Sequence, residues 1–247
     1  MAFSKAKDFV FMSKVDGSSQ RYIELLPEGF QVSKMYDLMV ALHGHDSDRN
    51  QYASDERGEC KGARDTASKY NMIYISPDYR AKTSWMGPKA EADVLQILQE
   101  LKTKYKIGKV IFVGGSMGGT SALIFSSLHP DLVAGVSAQN PCANMIEYDN
   151  FQEFIANSYG GTKKELLSEY QKRSSELNYK NLTMPVAITT GGKDTIVPPE
   201  SALRLANLLR ESNPGNVLLI HRKETAHETN YSDTVEAIEF VIAKTIN

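Results

Sequence analysis

The sequence predicts an α/β fold: a mostly parallel sheet of eight strands, helices on both faces, and a small insertion above one edge. Three observations carry that expectation. Short apolar runs alternate with helix-like amphipathic runs along most of the chain, the βαβ rhythm of a parallel sheet. The stretch Val113-Gly114-Gly115-Ser116-Met117-Gly118-Gly119 joins a β-branched run to a helical run, so a serine sits on a sharp strand-to-helix turn. At 247 residues the chain is long enough for one α/β domain with a substantial core.

Each element follows in order. Residues 8–13 alternate as a strand, Val15-Asp16-Gly17-Ser18 marks a turn, and residues 21–26 form a second strand, an antiparallel hairpin expected at the sheet edge. Residues 36–42 are nearly all apolar after their start, as a strand buried on both faces requires, and run into His43-Gly44-His45-Asp46. A helix over 61–70 and a buried strand over 72–76 come next. An amphipathic helix spans 89–105, with Ala92, Leu95, Ile97, Leu98 and Leu101 as its inner stripe. The strand before Ser116 covers 110–113, and the helix behind it ends near His129-Pro130. Residues 132–138 read as a strand. Residues 142–183 are polar, hold two short helical stretches (150–157 and 163–174), and read as a cap-like excursion within a single domain spanning 1–247. A strand over 185–190, a helix over 200–211 opened by Pro199, a strand over 216–221 and a helix over 231–244 complete the chain.

Composition narrows the function. The formal net charge is -2 and no basic block offers a nucleic-acid surface. No apolar run is long enough to span a bilayer. The N-terminal Met1-Ala2-Phe3-Ser4-Lys5-Ala6-Lys7 lacks the apolar core of a signal peptide, so a cytoplasmic home is expected, or a secreted one whose leader has been removed. Cys60 and Cys142 form neither a disulfide framework nor a metal-spaced set.

The chemistry centres on Ser116. A serine hydroxyl is a poor nucleophile at neutral pH and needs a base, an orienter for that base, and donors for the oxyanion. Of the five histidines, His227 sits in a polar loop after the last strand, at the sheet edge that carries Ser116. Asp194 follows Gly191-Gly192-Lys193 at the end of another strand, where a carboxylate can hold the imidazole. Glu224 and Glu228 lie too near His227 in sequence for that task. The order Ser116, Asp194, His227 is that of a hydrolase built on a strand-turn-helix elbow. Oxyanion donors are expected from the backbone N–H of Met117 and from the loop after the third strand, within Gly44-His45-Asp46, with His45 favoured. A competing reading takes His43-Gly44-His45-Asp46 as metal-ligand spacing, but no further ligands stand in a recognisable pattern. The serine chemistry itself calls for no metal or organic cofactor.

Taken together, Leu42-His43-Gly44, Trp85-Met86-Gly87 with Glu91 and Asp93, Gly114-Gly115-Ser116-Met117-Gly118-Gly119, Tyr159-Gly160-Gly161-Thr162, Gly192-Lys193-Asp194 with Val197-Pro198, and Ala226-His227 resemble the α/β-hydrolase superfamily over nearly the whole chain. Within it the chain is similar to serine esterases of the feruloyl and acetyl-xylan type and of the dienelactone-hydrolase type, although dienelactone hydrolase proper uses a cysteine nucleophile. The Tyr-Gly-Gly and Trp-Met-Gly pieces also resemble peptidases of the prolyl-oligopeptidase type. The resemblance implies the α/β-hydrolase fold and Ser116, Asp194 and His227 as the catalytic triad.

Substrate contacts are expected from the loops above the sheet. Trp85 reads either as a flat wall for an aromatic acyl group or sugar ring, or as a core residue beneath its loop. Tyr79 and Arg80 reach a polar leaving group or remain solvated, and Tyr159 and Met145 are expected as pocket walls. Glu91 and Asp93 suit the first turn of a helix through the dipole alone. The expected function is a serine carboxylesterase acting on small-molecule or oligosaccharide esters, acetyl or feruloyl groups among them. A peptidase or amidase of the same fold is the alternative, weakened by the lack of a propeller-like domain. A non-catalytic binding module of this fold would have no need to keep all three triad residues.

Overall fold

The computed structural model describes residues 3–245; Met1 and Ala2, part of the stretch read for a leader, lie outside it, as do Ile246 and Asn247. Eight strands form one sheet: β1 (Lys7–Met12), β2 (Ser19–Leu25), β3 (Met35–Leu42), β4 (Ile73–Pro77), β5 (Lys106–Gly115), β6 (Gly135–Gln139), β7 (Val186–Gly191) and β8 (Val217–Arg222). Their spatial order is β1-β2-β4-β3-β5-β6-β7-β8. The β1–β2 hairpin and the β2–β4 pair are antiparallel, and every pair from β4 to β8 is parallel. The expected edge hairpin is therefore present, turned at residues 13–18, where the Ser13 and Ser18 backbone closes it at 2.8 Å.

Helices cover both faces, because the inner strands bury side chains on both. In β3, Leu38, Val40 and Leu42 join one core while Met39 and Ala41 join the other; in β5, Val110 and Phe112 oppose Ile111 and Val113. That is the period of two read through strand interiors buried on both faces. The first core packs on α3 (Pro88–Lys104), α4 (Met117–Leu128) and α7 (Glu200–Ser212). The second packs on α1 (Asn50–Ser54), α2 (Gly58–Lys69) and α8 (Tyr231–Thr245). Among the described residues, no helix is long and apolar enough to cross a membrane.

Two element expectations are corrected. The inner stripe of α3 is Ala90, Val94, Ile97, Leu98 and Leu101, while Ala92 and Leu95 are only half-buried; the stripe starts two residues earlier than expected and follows the i, i+4, i+7, i+8, i+11 spacing of one helix face. Residues 130–132 form a 3-10 turn, so β6 begins at Gly135, where a Cβ would lie 2.3 Å from Val241 Cγ1 of α8.

Residues 142–183 carry α5 (Gln152–Tyr159) and α6 (Leu167–Lys172). Met145, Tyr148, Ile155, Tyr159 and Tyr170 from this segment belong to the first core, so it shares the sheet's interior. Arg173 fastens it. Its guanidinium is fully buried, donates to Met86 O at 2.5 Å, pairs with Glu91 and Glu169 at 2.6 Å each, and stands over the Tyr159 ring. Five donors in a rigid fork allow one arginine to serve all these partners.

Candidate active site

The elbow places Ser116 first. β5 ends at Gly115 and α4 begins at Met117, so a single residue makes the turn, and Ser116 takes φ 58° and ψ -123°. A non-glycine residue in that region is strained, and the surroundings must hold it there. They do so by close approach. A Cβ on Gly118 would lie 2.0 Å from Leu42 O, and one on Gly114 would lie 2.5 Å from the Gly118 backbone. The Ser116 N–H donates to Gln139 O at 2.8 Å, which ties the turn to β6. Because the backbone is spent on these contacts, the half-buried Ser116 side chain is left facing the cavity at the C-terminal edge of the sheet.

The loops after β7 and β8 bring the other two residues together. Asp194 is buried, with its side chain 1% exposed, and its Oδ2 lies 2.6 Å from His227 Nδ1. Its other oxygen accepts the N–H groups of Ile196 and Val197, both at 2.9 Å. Both carboxylate oxygens are thus committed, and the imidazole is oriented with Nδ1 toward the acid. Ser116 and His227 line one cavity of about 300 Å³ with His45, Gln51, Tyr52, Arg57, Glu59, Asn140 and Thr229 among its other walls. A larger cavity of about 520 Å³ opens between the 142–150 segment and α7, and holds none of the three.

The oxyanion donors can be narrowed by counting engaged N–H groups. In the loop after β3, the Gly44 N–H donates to Gln51 Oε1 at 2.7 Å and the Asp46 N–H to Lys82 O at 2.9 Å. His45 stands between them and lines the cavity. On the other side, Met117 occupies the first helical position, whose N–H falls outside the intrahelical ladder. One amide stands on the loop after β3 and the other at the N-terminus of α4, directly after Ser116.

A model of the prolyl oligopeptidase family matches residues 79–243, a span that contains Ser116, Asp194 and His227. The chain belongs to the prolyl oligopeptidase family. Its structure has the α/β-hydrolase fold. This family member is 30% identical over 134 residues to the acetyl esterase Axe7A of Xylanibacter ruminicola, a stretch covering 51% of the chain and 30% of the relative. It therefore spans less than a third of that relative's length. Among solved structures it resembles FphF, a fluorophosphonate-binding serine hydrolase of Staphylococcus aureus, with a TM-score of 0.72 at 17% identity over 100% of both chains. The ferulic acid esterase of Anaeromyces mucronatus gives 0.67 at 17% identity, over 100% of this chain and 93% of that one. Dipeptidyl peptidase 4 of Porphyromonas gingivalis gives 0.73 at 14% identity, over 98% of this chain and 36% of that one. At these identities the solved structures speak to the fold.

Several expected substrate contacts are corrected in this member of the prolyl oligopeptidase family. Trp85 is fully buried; of its two readings the core one holds, and its indole Nε1–H donates to His45 Nδ1 at 3.2 Å. Tyr79 is buried behind His43, with its hydroxyl donating to His43 O at 2.5 Å. Arg80 is held by Asp93 at 2.5 Å and Asp16 at 2.9 Å, and its Nη2 donates to Ser13 Oγ at 2.8 Å, at the hairpin rather than at the cavity. Tyr159 is buried and donates to Trp85 O at 3.1 Å, and Met145 is fully buried. Trp85 is covered by Tyr148 and Phe151 of the insertion, whereas Tyr79 is held by His43 and Arg80 by the hairpin. Asp93 and Glu91 do more than suit a dipole: they are the partners of Arg80 and Arg173.

The metal reading of the His43-x-His45 pair meets a physical obstacle. Nδ1 of the buried His43 faces Gly44 O at 2.8 Å and its Nε2 faces Asp78 O at 2.9 Å, so neither nitrogen is turned toward a shared ligand position with His45. Burial holds the His43 pKa below the usual imidazole range, despite those two carbonyls. The sequence reading missed Gln51, Tyr52, Arg57, Glu59 and Asn140 as cavity walls. Only Asn140 carried a signal, as the residue that follows β6 at the same sheet edge.

Proposed function

We propose that this hydrolase is a serine carboxylesterase of small acyl esters carried on carbohydrate, acetyl esters foremost. The observation that carries the reading is the 2.6 Å Asp194–His227 contact opening onto the cavity that Ser116 lines. Ser116 Oγ attacks the ester carbonyl carbon while His227 Nε2 takes the hydroxyl proton. The carbonyl oxygen becomes an oxyanion between the N–H groups of Met117 and His45. Collapse breaks the bond to the alcohol, which leaves with the proton from His227. Water then adds to the acyl-enzyme with His227 as base again, releasing the carboxylic acid and restoring Ser116.

The cavity supports a small acyl group and a hydroxylated alcohol. About 300 Å³ leaves little depth for a long acyl chain, and Gln51, Arg57, Glu59, Asn140 and Thr229 supply donors and acceptors for hydroxyl groups. The resemblance to an acetyl esterase points the same way. A comparison of kcat/KM on acetyl, butyryl and octanoyl p-nitrophenyl esters, methyl ferulate and an acetylated xylo-oligosaccharide tests the reading. Preference for the sugar acetate is expected; preference for octanoyl or for none contradicts it.

A second reading is a peptidase or amidase, favoured by the family match over residues 79–243. It requires turnover of amides at rates comparable with esters.

A further inference from the structure

His45 carries an imidazole that the mechanism above does not use. The ring lines the cavity beside Ser116 and is boxed by Phe151, Phe154 and Trp85, at ring-centre distances of 4.3, 4.9 and 5.8 Å. The indole N–H of Trp85 meets its Nδ1 at 3.2 Å. An indole N–H donates and cannot accept, so Nδ1 presents its lone pair and the ring proton of a neutral imidazole sits on Nε2. Trp85 is held in place: it is fully buried, its rings lie 5.5 Å from those of Tyr148 and Phe151, and its carbonyl accepts the Tyr159 hydroxyl. Burial, with His43 beside it, lowers the His45 pKa against the pull of Asp46 and so favours the neutral ring. Among the described residues, no side chain or carbonyl accepts the Nε2–H.

We infer that the His45 imidazole is a specificity-determining donor, its tautomer locked by Trp85, whose Nε2–H takes an acceptor oxygen on the alcohol side of the ester bound at Ser116. The inference rests on the proposed esterase reading. The alcohol side is the one left to it, because the carbonyl oxygen already has the amides of Met117 and His45. A sugar offers hydroxyl and ring oxygens there, whereas a simple alkyl or aryl alcohol offers none.

Two measurements test this together. The first is the ¹⁵N spectrum of the His45 ring, in wild type and Trp85→Phe. Wild type is expected to show a single tautomer protonated at Nε2, and Trp85→Phe a mixture; a wild-type ring protonated at Nδ1 overturns the inference. The second compares acetylated xylo-oligosaccharide with ethyl acetate in His45→Phe and His45→Gln, since Gln keeps an N–H at similar reach and Phe keeps the ring packing. Losing one hydrogen bond is expected to lower the ratio of kcat/KM on the sugar ester to that on ethyl acetate about tenfold, with the ratio restored in His45→Gln. Equal losses on both esters, or none on either, overturn it. If wild type turns over neither ester in a Ser116-dependent way, the esterase reading fails on its own. The donor is then judged by xylobiose added to Ser116→Ala: a shifted Nε2–H resonance supports it and an unmoved one ends it.

Discussion

His227 Nδ1 lies 2.6 Å from Asp194 Oδ2, while the second oxygen of the same carboxylate is taken by two backbone N–H groups. The acid therefore cannot rotate, and the imidazole it holds is fixed with it. This arrangement makes Asp194→Asn a severe change. The amide would have to accept from Ile196 and Val197 and also from His227, yet one of its two ends is a donor. Its kcat on an acetyl ester is expected to fall by roughly 10³ to 10⁴, with KM little changed, as for the wrong imidazole tautomer. Steady-state kinetics on a variant with wild-type circular dichroism checks this; a loss under tenfold removes Asp194 from the triad.

Gly118→Ala tests the packing behind the elbow. The new Cβ would fall 2.0 Å from Leu42 O, a backbone atom of the neighbouring strand that cannot swing aside. The variant is expected to lose about 3 kcal/mol or more of stability, read as a drop in Tm, and to lose activity because Ser116 moves with the turn. A variant with unchanged Tm and kcat contradicts the close approach.

The fold and the gathering of Ser116, Asp194 and His227 at one sheet edge were legible because strand ends are legible. Val113-Gly114-Gly115-Ser116, Gly191-Gly192-Lys193-Asp194 and the loop holding His227 each follow an apolar run, and parallel strands deliver all such ends to one edge. What lay above that edge was not legible. Trp85, Tyr79 and Tyr159 have the residue types of a binding wall, but whether a loop side chain faces the cavity or the core depends on what packs over it. For Trp85 that was decided by Tyr148 and Phe151 of residues 142–183, a segment fastened by a buried Arg173 whose partners Glu91, Glu169 and Met86 O have no local spacing rule except the i,i+4 pair with Glu169, and for Tyr79 by its hydrogen bond to His43.

Glu91 gives the stability a sign in acid. Burial works to raise its pKa, but hydrogen bonding with His129 and the charge of Arg173 outweigh it and bring it from 4.5 down to about 2. A folded-state pKa below the unfolded one means stability that is full above about pH 4.5 and lost as pH falls toward 2. The difference corresponds to about 3 kcal/mol. Glu91→Gln is expected to be less stable than wild type at pH 7 and to converge on it near pH 2, in urea melts across that range. Parallel curves would assign the acid sensitivity elsewhere.

Arg173→Met removes the charge that faces Glu91 and Glu169 and leaves both carboxylates without their buried partner. A stability loss of about 3 to 5 kcal/mol is expected, the range for breaking one side of a buried pair. Because the clamp holds Met86 and the insertion rather than Ser116, KM should rise more than kcat falls at a temperature where the variant remains folded. A kcat loss with unchanged KM would place Arg173 closer to the chemistry than its contacts do.

The most direct test of the account is a paired rate measurement on wild type and Ser116→Ala, with an acetyl ester and the matched acetanilide. The account predicts ester turnover well above anilide turnover in wild type, and no turnover above background in Ser116→Ala with the fold intact. Ester hydrolysis that survives in Ser116→Ala, or an anilide cleaved as fast as the ester, would contradict it.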